Sequence, residues 1–138
     1  MMIRSLSILL LVVALAFPAA AEDAAPGMSQ DTFQQMDAML GNALNAYNAG
    51  NWKAFYKDWA QLMSGIATEQ SFNSLYVNMY KKNFGDYKSR TFVRERSSVA
   101  GDHAVVVYKA KFSKKDGDIG VNYFRENGKW KLQQIQFN

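Results

Sequence analysis

Between positions 52 and 59 stand Trp52, Phe55, Tyr56 and Trp59, with Asp58 among them. A carboxylate walled in by aromatic rings is one way to make a general base, because desolvation raises its pKa toward the working range. Wound as an α-helix at roughly 100° per residue, the stretch centres its apolar stripe between Trp52 and Trp59. Asp58 then lies about a quarter-turn off that centre, beside Phe55 and Leu62. No acid is adjacent in sequence or one turn away, and Lys53 and Lys57 favour ionisation. A solvated helix residue is the first reading of Asp58, and a pocket carboxylate working with a tyrosine hydroxyl is the second.

The single histidine, His103, follows Asp102 at the start of a predicted strand. An adjacent carboxylate can orient an imidazole for catalysis. Its parity, however, places it on the outer face of the sheet, and with no cysteine and no second histidine a metal site is not expected. No cofactor is implied either. "DGDIG" lacks the length and the acids of a calcium loop, and no nucleotide loop occurs.

Tyrosines are more numerous. Tyr56, Tyr76, Tyr80, Tyr108 and Tyr123, with Tyr47, can approach a core or its mouth, and buried hydroxyls need partners. With Arg125 and Trp130 at the rim they would line a pocket for a small amphipathic or anionic ligand. The plainer alternative is that the rings fill the core and leave their hydroxyls at its edge.

The elements that would hold these residues follow from periodicity. Phe33, Met36, Leu40, Ala43, Leu44 and Tyr47 share one helical face, and Gly50 ends that helix. Asn51 can cap a second helix with Trp52, Phe55, Tyr56, Trp59, Leu62 and Met63 inward. Thr68 can cap a third that presents Phe72, Leu75, Tyr76 and Met79 and stops near Gly85. From Tyr87 the period becomes two, which predicts strands near 87–98, 103–114, 119–126 and 129–137. The Asn127-Gly128 turn is the strongest hairpin signal. Helices followed by an antiparallel meander make the fold α+β.

With register set by the turns, Thr91, Val93, Val106, Tyr108, Ala110, Phe112, Ile119, Val121, Tyr123, Trp130 and Leu132 face the core. Ile135 and Phe137 have the wrong parity, and a bulge at Gln133-Gln134 would return them to it. The opposite face collects Lys88, Arg90, Phe92, Arg94, Arg96, Lys109, Lys111, Phe124 and Lys131, with Glu126 as its one clear acid. Of these, Arg90, Phe92, Arg94, Arg96, Lys109, Lys111, Phe124 and Lys131 are the candidate interaction surface. It would serve a homodimer or an acidic partner, unless the cations only block edge pairing.

The charge distribution agrees. The chain carries a net +4. Residues 22–80 hold two lysines against six acids, whereas 81–138 hold nine lysines and four arginines against six acids. Arg4, the apolar run Leu6–Phe17 and Ala19-Ala20-Ala21 form a secretory signal-peptide pattern, with cleavage expected after Ala21. The run is too short for a stable membrane anchor. Export to a periplasm or the medium makes nucleic acid an unexpected partner for the basic face. The expected organisation is 1–21 signal peptide, 22–30 flexible leader and 31–138 a single domain.

Two segments, "AYNAGNWKAFYKDWA" and the closing hairpin "YFRENGKWKLQQIQF", make the chain resemble the nuclear-transport-factor-2-like superfamily. The likeness is one of pattern across nearly all of 31–138, closest to small exported members of unassigned function. It implies a cone: three N-terminal helices packed on a curved four-stranded antiparallel sheet, a pocket at the cone's mouth and dimerisation through the outer face. The superfamily holds enzymes, carriers and interaction modules, so the fold alone does not choose among them. The expected function is an exported non-catalytic binding or interaction module. The alternative is a small lyase or isomerase using Asp58 and a tyrosine.

Overall fold

The computed structural model describes residues 24–138; the expected signal peptide and its expected cleavage point lie outside them. Helix α1 (Gln30–Ala49) begins where the Ser29 hydroxyl accepts the Thr32 N–H at 3.2 Å. It ends at Gly50, whose φ of 69° lets its N–H reach the carbonyls of Ala46 and Tyr47. Its buried side chains include Phe33, Met36, Leu40, Ala43, Leu44 and Tyr47, the face expected from their spacing. Residues 24–28, expected within a flexible leader, are packed at two positions. Ala24 and Ala25 are buried, and Arg94 Nε donates to the Ala24 carbonyl at 3.2 Å.

The second helix is shorter than its apolar pattern predicts. Helix α2 (Trp52–Phe55), capped by the Asn51 side chain, is one turn long. The chain then straightens and adds itself to the sheet edge. Leu132 N–H donates to the Asp58 carbonyl at 2.9 Å, and Ala60 N–H donates to the Leu132 carbonyl at 2.7 Å. Two strong backbone bonds and the burial of Trp59 outweigh further helical turns. A 3₁₀ turn (Gln61–Met63) follows, and Leu62, expected in the core, is 64% exposed.

A continuous helical rod spans 69–84, in which an α-turn (Glu69–Ser71) gives way to a π-helix (Phe72–Lys81) and then to another α-turn (Lys82–Phe84). Phe72, Tyr76, Tyr80 and Phe84 recur every four residues, wider than the 3.6-residue α period. The i→i+5 winding accommodates that spacing on one side of the rod. Their rings form a ladder with centroids 5.9, 5.5 and 6.1 Å apart. Met79, expected inward on α-helical spacing, is 52% exposed for the same reason. Gly85 ends the rod at φ 80°, where a Cβ would collide with Ser113 Oγ.

The sheet is antiparallel. Strands β1 (Tyr87–Phe92) and β2 (Ser98–Ala100) pair in succession with one side of β3 (His103–Phe112), and β4 (Asp116–Glu126) and β5 (Lys129–Phe137) follow on its other side. The strand expected at 87–98 is therefore two, parted by a 3₁₀ turn (Arg94–Arg96). Ser97 bridges the gap: its hydroxyl donates to the Val93 carbonyl and accepts the Val107 N–H. Val106, Tyr108, Ala110, Phe112, Ile119, Val121, Tyr123 and Leu132 are buried on the helix-covered face, as alternation requires. Gln133 is the extra residue of a bulge between the Tyr123–Leu132 and Asn122–Gln134 pairs, and it returns Ile135 and Phe137 to the core.

A second bulge was not legible. Tyr87 pairs with Phe112 and Ser89 with Lys111, so Lys88 is extra and the parity of β1 inverts after it. Arg90 and Phe92 thereby turn to the helix-covered side, opposite Ala110 and Tyr108. Thr91, expected in the core, is exposed.

Candidate functional site

The expected pocket residues do not converge; they divide among four places. Tyr108 and Tyr123 lie in the core beneath α1. The Tyr108 hydroxyl donates to Asp37 Oδ1 at 2.9 Å, and the Tyr123 hydroxyl donates to the Met36 carbonyl at 2.8 Å. Arg125 and Trp130 are cross-strand neighbours, the guanidinium 4.6 Å from the ring centroid, beside a separate cavity of about 490 Å³ reached by Thr32 and Met39. Arg125 also pairs with Asp102 at 3.7 Å. Tyr80 packs on Phe137 at 4.8 Å between centroids. Of the expected tyrosines, Tyr56 and Tyr76 line one cavity together.

That cavity is a cleft of about 570 Å³, within the range of small-molecule sites. One wall is Tyr56, Trp59, Met63 and Ile66, from the stretch that leaves α2 and turns. Ser71, Leu75 and Tyr76 come from the start of the rod, where α gives way to π. Asn122, Gln133 and Gln134 come from the β4–β5 bulge. A π-helix and a β-bulge thus meet across one hollow, and each is a feature that recurs at functional sites.

Aromatic packing makes the floor rigid. Phe55 is fully buried with its ring centroid 4.4 Å from Tyr76 and 5.1 Å from Phe72. The Tyr76 hydroxyl is anchored on the Ile135 carbonyl at 2.7 Å, and burial pushes its pKa well above the usual value. Tyr56 and Trp59 cross nearly edge to face, with centroids 5.0 Å apart. Burial pushes the Tyr56 hydroxyl up to about 12, so it stays a neutral donor. Among the described residues that hydroxyl has no protein partner, and Trp59 Nε1 is buried without an acceptor. Asn122 Nδ2 donates to Gln134 Oε1 at 3.0 Å, which leaves the Asn122 acceptor and the Gln134 donors free of each other.

Asp58 does not line this cleft, and the residues that do include no acid, base or histidine. The half-buried Asp58 contributes its main chain, which holds β5. Glu126, expected as the acid of the outer face, instead caps the 3₁₀ turn. Its two carboxylate oxygens accept the N–H groups of Gln61 at 2.9 Å and Leu62 at 3.0 Å, and these bonds hold its pKa below the usual carboxylate range.

The expected interaction face is thinner than its sequence pattern. The bulge at Lys88 removes Arg90 and Phe92 from it. Arg90 donates from Nε and Nη2 to Asp37 Oδ1 at 3.1 and 3.0 Å, and from Nη1 to the Tyr87 hydroxyl at 2.8 Å. Burial opposes its charge, but Tyr87 and Asp37 more than offset this and leave its pKa raised. Phe92 packs on Phe33 with centroids 4.6 Å apart. Strand β4 begins at Asp116 rather than at 119, so two acids missed in the sequence sit opposite cations: Asp116 faces Lys111 and Asp118 faces Lys109. Arg96 pairs with Asp118 at 2.9 Å. What remains is a mixed-charge surface with Phe124 beside His103 and opposite Lys131.

No protein-family model matches the chain, and no curated protein is significantly similar to it. Its function is to be argued from the cleft's own chemistry.

Proposed function

We propose that this chain is an exported, non-catalytic binding module whose small-molecule ligand occupies the cleft between Tyr56, Leu75 and Gln133. The observation that carries this reading is the meeting of the π-helix and the β-bulge at one hollow. Both are locally unfavourable ways to run a helix or a ladder. The Tyr56 hydroxyl, which has no protein partner among the described residues, supplies a donor on the wall. Export rests on the pattern of residues 1–21, and the resemblance to the nuclear-transport-factor-2-like superfamily belongs to the same proposal. A lyase reading would need a titratable group in the hollow, and the lining offers only tyrosine hydroxyls that burial keeps protonated.

Native mass spectrometry of the protein purified from its own compartment tests this. The expected result is a co-purifying small molecule, absent from Leu75→Trp, whose indole would fill the hollow from a half-exposed position. A wild-type protein that carries nothing, and that takes up an apolar fluorescent probe no better than Leu75→Trp does, would overturn it.

A further inference from the structure

The same cleft has a chemical bias that its shape does not reveal. Every lining residue is uncharged at neutral pH: Tyr56, Trp59, Met63, Ile66, Ser71, Leu75, Tyr76, Asn122, Gln133 and Gln134. This is unusual company in a chain with sixteen lysines and arginines. The cation expected to receive an anion at the pocket rim, Arg125, is engaged elsewhere by Asp102 and the Trp130 face. An ion entering the hollow would lose its hydration and meet no counter-charge, which is the costly way to bury a charge.

What the walls do offer is a neutral donor–acceptor set. The Tyr56 hydroxyl donates or accepts, the Gln133 side-chain amide does both, Asn122 Oδ1 accepts and Gln134 Nε2 donates. Among them, Leu75, Met63 and Ile66 present aliphatic surface. Ile66 is 50% exposed, so this surface runs out to solvent. A ligand matched to both halves has an apolar body and at least one amide or hydroxyl group that can donate and accept together.

We infer that the cleft selects uncharged amphipathic molecules of this kind and discriminates against anions and cations alike. The inference rests on the binding reading above and narrows its ligand class, against the anionic ligand that the sequence allowed. Gln133 becomes the specificity position, because it is the bulged residue on the wall and can be changed without touching the buried aromatic floor.

Two fluorescent probes that differ by one charged group decide it: anilinonaphthalene, which is neutral, and anilinonaphthalene sulfonate, which is anionic. The neutral probe should bind wild-type protein at least about tenfold more tightly, with little salt dependence. Gln133→Lys should narrow or reverse that preference, and Leu75→Trp should abolish binding of both. Equal or tighter binding of the sulfonate, lost on Leu75→Trp, would overturn the neutral-ligand inference and leave the cleft as a binding site. Binding of neither probe would remove the binding reading and this inference with it. Circular dichroism on each variant separates a lost site from a lost fold.

Discussion

Two tyrosine-rich regions of the molecule use the same side chain in opposite ways. Between α1 and strands β1, β3 and β4, Tyr108 donates to Asp37, Tyr87 accepts from Arg90, Tyr123 donates to the Met36 carbonyl, and these three hydroxyls are partnered within 2.9 Å. At the cleft, Tyr76 is likewise anchored, on the Ile135 carbonyl, but the Tyr56 ring is packed on Trp59 while its hydroxyl has no protein partner among the described residues. Satisfied hydroxyls fasten a helix to a sheet; unsatisfied ones beside a hollow have hydrogen-bonding capacity left for a guest. The difference separates a tyrosine that holds the fold from one available for function, which residue type and spacing alone do not.

Asp37→Ala should have the largest effect. Asp37 Oδ1 receives three donors, and the Arg90 side chain around it is only 18% exposed. Its removal leaves a largely buried guanidinium without its counter-charge, though still bonded to the Asp37 carbonyl and the Tyr87 hydroxyl, and the Tyr108 hydroxyl without its acceptor, which should lower stability by about 2–3 kcal/mol in urea denaturation. Probe binding at the cleft should survive. A loss below about 0.5 kcal/mol, the range of an ordinary surface change, would show that this network does not fasten α1.

Next in size is a matched pair. Tyr108→Phe deletes a hydroxyl bonded to a carboxylate and should destabilise by about 1–2 kcal/mol. Tyr56→Phe deletes one with no protein partner and should move stability by no more than about 0.5 kcal/mol while weakening a ligand that uses the hydroxyl. Equal stability effects would erase the distinction between the regions.

Which parts of this were legible follows from where periodicity holds. α1, its cap at Gly50, the core face of β3 to β5 and the bulge at Gln133 are written in spacing 3–4, a turn glycine, spacing 2 and a parity break, whereas the Ser29 cap lay hidden in the expected leader. The Asp37–Arg90 pair was hidden, because the bulge at Lys88 flips Arg90 and Phe92 and has no turn residue to announce it. The strict spacing of Phe72, Tyr76, Tyr80 and Phe84 was the one available sign of the π-helix. Of the cleft, Tyr56 and Tyr76 were anticipated. Their companions Ser71, Asn122, Gln133 and Gln134 were not, since they reach the hollow only through the two irregularities.

Alkaline pH sharpens the contrast between the regions in a single titration. Burial raises the pKa values of Tyr47, Tyr76, Tyr108 and Tyr123 above the usual value near 10, and that of Tyr56 to about 12. A raised folded-state pKa means that the stability contribution is complete below the unfolded value and is lost as pH rises through the folded one. The protein should hold its midpoint up to about pH 10 and weaken progressively above it. Phenolate absorbance should show Tyr56 ionising near 12 in the folded protein, and the buried tyrosines only as it unfolds. Ionisation of every tyrosine near pH 10 without unfolding would contradict the burial of both regions.

The smallest effect concerns the border of the cleft. Glu126 holds the first two N–H groups of the 3₁₀ turn that carries Met63 toward the hollow. Its lowered pKa gives the opposite sign to the tyrosines: the contribution is present above the usual carboxylate range and is lost as pH falls through the folded value. Glu126→Gln should therefore be slightly less stable than wild type at neutral pH, with the gap closing in acid. Because the carboxylate stands at the surface, the clearer readout is local. Amide exchange at Gln61 and Leu62 should quicken in the variant at neutral pH, while that of β3 stays unchanged. Unchanged exchange at these two amides would mean that the turn is held by Ala60 and the sheet edge alone, and that the cleft's outer wall needs no latch from the hairpin.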